Sequence, residues 1–182
     1  SCSDSWLDLN PSTSVPTDQA FSSLEDAQSA LNGIYRLASA HSYYGDNFFY
    51  FGDCRAADVQ ARMTKGDGRR VSPYYEYNVK ATDSFNSSLP WNQVYKVIRQ
   101  TNNLIAATES GLIKTTDEAA LNEIKAQALA MRGLALYDLI RVFAMPYSYD
   151  NGQSLGVPIV TTATDQSSKP ARNTVAECYD QI

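Results

Sequence analysis

The sequence predicts a mainly α-helical fold, a repeat-like array of helices carrying long irregular loops. Three observations lead there. Apolar and small residues recur every seven positions on two flanks of one segment: Leu121, Ala128, Ala135 and Val142 on one, Leu129, Leu136 and Phe143 on the other, with Gly133 and Ile140 alongside. A helix with a wet side cannot carry that pattern, so neighbours must cover this one on at least two sides. Ala126, Ala128, Ala130, Gly133 and Ala135 let those neighbours approach closely. Second, the helix-opening pattern of a hydroxyl residue followed three positions later by glutamate occurs at Ser22/Glu25, Thr115/Glu118 and Thr174/Glu177. Third, Trp91 and Lys125 stand 34 residues apart, the period of a tetratricopeptide helix-turn-helix unit.

The elements follow in order. Residues 1–21 hold Pro11 and Pro16 among Ser, Thr and Asp and read as an extended arm. A helix opening at Ser22 places Leu24, Ala27, Leu31, Ile34 and Ala38 on one face and fades near Ser42. From Tyr43 to Leu89 no period is sustained, and short helical pieces are expected around 47–60. A stretch this long without periodicity is usually functional or disordered. Its many tyrosines and phenylalanines argue against disorder. Pro90 suits a first helical turn, where its missing N–H goes unmissed. Trp91, Val94, Tyr95, Ile98, Asn102 and Ile105 then share one stripe. The helix of 117–143 follows and Pro146 stops it. In the loop beyond, Leu155–Val160 is the one ordered-looking piece. A last helix opens at Thr174 with nothing of its own to pack against, and the chain is expected to be the N-terminal portion of a longer protein.

Composition removes several function classes. The chain has 182 residues, enough for one domain with a core, and 43% hydrophobic and 19% charged residues are ordinary for a globular protein. A net charge of -5 argues against a nucleic-acid partner, which selects a basic face. His41 is the only histidine, which removes Ser-His-Asp, Cys-His and multi-histidine metal sites together. Gly66 and Gly68 lack phosphate-loop spacing; a calcium site from the loop aspartates stays open, though without EF-hand spacing. No catalytic residue, metal or cofactor is assigned. Cys54 and Cys178 are expected to be buried, unreactive thiols. Cys2 stands at the start of a Ser/Asp stretch, where a bacterial lipoprotein carries its acylated cysteine.

Ordered short pieces run along most of the chain. They are Cys2 through Leu7-Asp8 and Pro11, Ala30-Leu-Asn-Gly33-Ile-Tyr35, Gly52-Asp53 with Arg55-Ala-Ala-Asp58, and Trp91 through Tyr95, Ile98 and Asn102. Ala128 through Arg132, Arg141-Val-Phe143 with Pro146-Tyr147, Leu155-Gly-Val-Pro158 and Arg172 through Glu177 complete the series. In that order and spacing the chain resembles the SusD/RagB family of outer-membrane nutrient-binding lipoproteins. Ala57 and Cys54 depart from the family's pattern in their piece. The resemblance implies a tetratricopeptide-like scaffold, a lipid-anchor arm over 1–21 with Cys2 as the lipidated residue, and a helical domain over 22–182 continuing beyond this chain. It also implies a non-enzymatic protein on the cell surface, anchored in the outer membrane. There it captures an oligosaccharide or polysaccharide and passes it to a TonB-dependent, SusC-like barrel transporter. Some family members take peptides, so a peptide ligand stays open, as do a glycoside hydrolase and a purely structural adaptor.

Glycan binding needs flat aromatic faces for sugar C–H surfaces and placed polar groups for the hydroxyls. Arg62, Arg69, Tyr74, Tyr75, Tyr77 and Asn78 supply that inventory and form the candidate ligand-binding set, with Asp83 and Asn86 nearby. The resemblance adds that this variable region contributes to ligand contact in the family. Trp91 and Tyr95 read as core packing, and Asn102 as a buried amide serving loop backbone groups. Asp53 and Asp58 flank Arg55, which favours both ionised, the reverse of a general acid. Asp138 and Arg141, three apart on a helix, are expected to pair.

Overall fold

The computed structural model describes residues 21–56, 72–78, 90–162 and 168–182. Cys2, Asp58, Arg62, Arg69, Asp83 and Asn86 lie outside them. The described residues form six α-helices: α1 (Leu24–Ala38), α2 (Asn47–Asp53), α3 (Ser72–Tyr75), α4 (Trp91–Glu109), α5 (Glu118–Phe143) and α6 (Val175–Gln181). A π-helical turn over His41–Gly45 joins α1 to α2, and a 3-10 turn over Tyr147–Tyr149 follows α5. Among these residues there is no extended strand, only isolated bridges between Ser23 and Lys114 and between Leu155 and Thr174.

Three long helices make the scaffold. Along α4 and α5 the partners run in opposite directions: Lys125 pairs with Glu109, Arg132 bonds Asn102, and Phe143 meets Trp91 edge to face. The two helices are therefore antiparallel and make the most extensive contact among the described elements. α1 lies against both. Its Leu37 carbonyl accepts from Gln93 near the start of α4, while Tyr35 donates to Gln127 of α5. This is a tetratricopeptide-like helical scaffold, as the 34-residue offset and the doubly apolar α5 imply.

Burial follows the periodicity. Ala27, Leu31, Ile34 and Ala38 of α1 are buried, as are Val94, Ile98, Asn102 and Ile105 of α4. Each fully buried leucine or isoleucine contributes about 1.5–3 kcal/mol relative to exposure. α5 is covered by α1 and α4 on one side and by α6 on another. On the second apolar flank only part is covered: Leu136 is 4% exposed but Leu129 is 40% exposed. On that flank Ile182, at the end of α6, stands against Gly133.

Two caps differ from expectation. α1 is capped by Ser23, not Ser22, with Asp26 rather than Glu25 closing the box. The aspartate carboxylate takes the amides of both Ser22 and Ser23 and the Ser22 hydroxyl, three donors that Glu25 does not collect. α5 is capped by Asp117, whose carboxylate accepts from the Ala120 amide, while Thr115 serves the Asp117 amide one turn earlier. Thr174 and Glu177 do form the predicted box on α6. Helix α1 stops at Ala38, ahead of Ser42, because Ala40 is extended and the chain re-enters through the π turn.

A candidate ligand cleft at the end of helix five

The stop of α5 creates the site. Ala144 is extended, Pro146 offers no N–H, and Tyr147–Tyr149 turn the chain away from the helix axis. Asn151 and Gly152 then adopt left-handed backbone, and Asp150 caps the turn by accepting from the Gln153 amide. The reversed loop delivers the Gly152 and Ser154 carbonyls to the Ala176 and Val175 amides, the open donors of the first turn of α6. That clip sets Tyr179 of α6 against Tyr147, ring centroids 5.5 Å apart.

The opposite wall comes from the segment that lacks periodicity. Phe48 packs on Tyr43, Tyr44 and Phe49 at 5.3–5.9 Å, so α2 is fixed by ring contacts rather than by an aliphatic stripe. Between the two walls lies a cleft of about 670 Å³, a size typical of small-molecule sites. Phe48, Phe49, Phe51, Tyr44, Tyr147 and Tyr179 give it aromatic faces; Arg141 and Asp53 are its charged side chains. Phe49 and Tyr147 are each 45% exposed.

Beneath the floor sits Asp138, 1% exposed. One carboxylate oxygen accepts from both Tyr43 and Tyr44, and the other from Arg141. The expected Asp138–Arg141 pair is thus present, and two tyrosines not foreseen in it complete the network. Burial, then the bond to Asp138, raises both phenols: Tyr44 to about 12, and Tyr43 further still. Both stay neutral donors across the physiological range. The guanidinium of Arg141 also lies over the rings of Phe48 at 5.2 Å and Tyr137 at 4.8 Å, a cation–π arrangement.

The tyrosines singled out in the sequence stand beside this cleft and differ among themselves. Tyr74 is 2% exposed and packs edge to face on Phe51, so its ring is a spacer behind the cleft wall and not a free platform. Burial raises its phenol. Tyr75 and Asn78 are exposed, and Tyr77 is 68% exposed on a left-handed backbone. Tyr77 donates to the Arg55 carbonyl and shares the Arg55 guanidinium with Phe51. Arg55 thereby stacks on rings, rather than only serving neighbouring carboxylates. Phe51 lines the cleft, and the Arg55 guanidinium over both Phe51 and Tyr77 links Tyr77 to that wall.

The remaining singled-out residues are structural. Trp91 packs on Tyr95 and Phe143, and Tyr95 donates to the Pro158 carbonyl. Asn102 donates to the Val160 and Thr162 carbonyls and accepts from Arg132, which also reaches Thr161. Cys54 and Cys178 are buried free thiols, each pushed up by burial. Among the described residues no group of His, Cys, Asp or Glu converges as a metal site, and no helix is long and apolar enough to cross a membrane.

Comparison with known proteins agrees with this architecture. The residue pattern of a SusD-like family, described as starch-binding and associating with the outer membrane, matches residues 5–182. SusD-like protein P2 of Formosa agariphila is 31% identical over 151 residues, 80% of this chain and 28% of that protein. A SusD superfamily protein of Bacteroides thetaiotaomicron superposes with a TM-score of 0.81 at 68% identity, over 87% of this chain and 35% of its own. A Bacteroides vulgatus member gives 0.79 at 31% identity, over 88% and 35%. The chain thus spans about a third of the length of the relatives it matches. Its fold and its residues place the chain in the SusD-like family.

Proposed function

We propose that this protein is a non-enzymatic glycan-binding component of the outer membrane, and that the aromatic cleft, with Tyr77 linked to its wall, contributes to its binding surface. The observation that carries the reading is the exposed run of ring faces flanked by Arg141, Asp53 and Arg55, in a chain whose family is described as starch-binding. Ring faces accept the C–H surfaces of pyranoses, and guanidinium and carboxylate groups serve hydroxyl pairs. Capture without cleavage fits the carboxylates present. Glycoside hydrolysis requires two carboxyl groups flanking the scissile bond. Among the described residues, Asp53 is the carboxylate that lines the cleft, while Asp138 is buried and held by three donors. In the same reading Cys2 carries the lipid anchor at the cell surface, and the bound glycan passes to a TonB-dependent, SusC-like barrel. Tyr75, Tyr77 and Asn78 extend the surface beyond the cleft, and Arg62 and Arg69, outside the described residues, are proposed as further ligand contacts.

Affinity electrophoresis through gels containing individual polysaccharides tests this. Retardation by at least one, weakened by Phe49→Ala with Tyr147→Ala, is the expected result. Retardation by none, with binding to peptides instead, would overturn the glycan reading; release of reducing ends would overturn the non-enzymatic one.

A further inference from the structure

The reversal behind the Tyr147 wall turns on the dipeptide Asn151-Gly152. Both residues take positive φ, 58 and 77, a pair that asparagine and glycine accept. Asn151 is exposed and Gly152 buried. Around the glycine there is no spare room: a Cβ on it would come within 2.7 Å of the Tyr147 ring and 2.9 Å of the Ala176 amide nitrogen. Its N–H donates to the Tyr147 carbonyl at 3.1 Å, and its carbonyl accepts from the Ala176 amide at 2.9 Å. The backbone of this one residue therefore ties an aromatic of the cleft wall to the first turn of α6. Asp150 closes the turn by accepting from the Gln153 amide and the Ser154 hydroxyl.

The residues that suit this turn also suit a reaction between them. The amide nitrogen after an asparagine can close a five-membered ring on the side-chain carbonyl, and a glycine presents that nitrogen with no side chain in the way. We propose that Asn151 is a site of spontaneous deamidation, and that the isoaspartate it yields unfastens the Tyr147 wall of the cleft. In the first step the Gly152 nitrogen bonds to Asn151 Cγ, the Cγ–Nδ2 bond breaks, and ammonia leaves with the displaced amide proton. Water then opens the cyclic imide. Opening at Cγ gives aspartate; opening at the main-chain carbonyl gives isoaspartate, whose backbone runs through Cβ and Cγ and is one methylene longer. With that methylene inserted, Gly152 cannot keep both its bonds in a space that does not admit a Cβ. The bond from its N–H to Tyr147 competes with ring closure, so the rate follows local opening of the turn.

The chain carries its own comparator. Its other Asn-Gly pair, Asn32-Gly33, lies in the middle of α1 between the buried Leu31 and Ile34, where opening is costlier. Peptide mass mapping of protein held for weeks at mildly alkaline pH reads both sites at once. Conversion at Asn151 is expected to run at least roughly fivefold faster than at Asn32, and faster still in Asp150→Ala. Asn151→Gly keeps the positive φ and has no amide to lose, so it should not age at this position. Amide exchange at Val175 and Ala176 should quicken in the aged native protein. It should not quicken in fresh Asn151→Asp, which adds the charge without lengthening the backbone. The loss of polysaccharide binding on ageing, spared in Asn151→Gly, rests on the glycan reading above. An unconverted Asn151, or conversion no faster than at Asn32, overturns the modification site. Isoaspartate at 151 with unchanged exchange at Val175 and Ala176 overturns its effect on the wall. Binding to no polysaccharide even when fresh overturns the glycan reading alone, since mass and exchange still decide the rest.

Discussion

Asp138 illustrates how much one side chain decides. A buried carboxylate is tolerated only when its charge and lone pairs are met, and here two phenols and a guanidinium meet them. Asp138→Ala removes the acceptor from all three donors at once. It should destabilise the fold by about 3 kcal/mol, read as a lower midpoint in urea denaturation. Tyr43→Phe, which removes one buried hydroxyl, should cost about 1–2 kcal/mol by the same measurement. The network also fixes a pH dependence. Tyr43 and Tyr44 have folded-state values raised above the ordinary phenol near 10. Their stabilisation is therefore complete below about pH 10 and is lost as pH climbs through the raised values, because the unfolded chain releases those protons first. Unfolding free energies at pH 8 and pH 11.5 should differ more for the native protein than for the Tyr43→Phe, Tyr44→Phe double variant.

At the level of elements, what the sequence revealed depended on how each segment is anchored. α1, α4 and α5 bury aliphatic stripes, and their faces were readable from a 3.6-residue period. α2 was readable only as a short helical piece. It is held through its Phe48, which packs on the rings of Tyr43 and Tyr44, and such contacts leave no aliphatic stripe. The cap of α1 slipped by one residue because two serines compete and each has an acidic residue three positions on. The cleft was not legible, since its walls come from α2 and from residues 140–147 and 175–179, about a hundred positions later. Composition drew attention to Tyr74, Tyr75 and Tyr77 instead. They flank the cleft, and one of them is its backing. A signal for the second wall was present in Pro146-Tyr147, an aromatic placed just where a helix must stop. The clip behind that wall depends on Gly152. At φ +77 a side chain is strained, and a Cβ would come within 2.9 Å of the Ala176 amide nitrogen. Gly152→Ala should cost more than about 1 kcal/mol and loosen α6, seen as faster amide exchange at Val175 and Ala176.

For the whole molecule, the arrangement separates support from recognition. The antiparallel α4–α5 pair, braced by α1, carries the aliphatic core. The recognition chemistry sits where α5 ends and where the aperiodic segment returns to it. Rigid helices that present aromatic residues at their termini keep ring faces fixed before a ligand arrives, which lowers the ordering cost of binding. Weak contacts of this kind gain strength when several sites engage one polymer. The family resemblance read from short ordered motifs and the fold read from periodicity agree, because both are constraints on the same scaffold. The ligand class is set by surface side chains that no period governs.

The most direct test of the central claim is isothermal titration of the protein with a polysaccharide that retards it, alongside the Phe49→Ala, Tyr147→Ala double variant. Both residues are nearly half exposed, so the fold should survive their loss. Roughly tenfold weaker binding or worse is expected, with an unfolding midpoint close to the native one. Undiminished affinity in a folded double variant would contradict it and place glycan recognition outside the cleft.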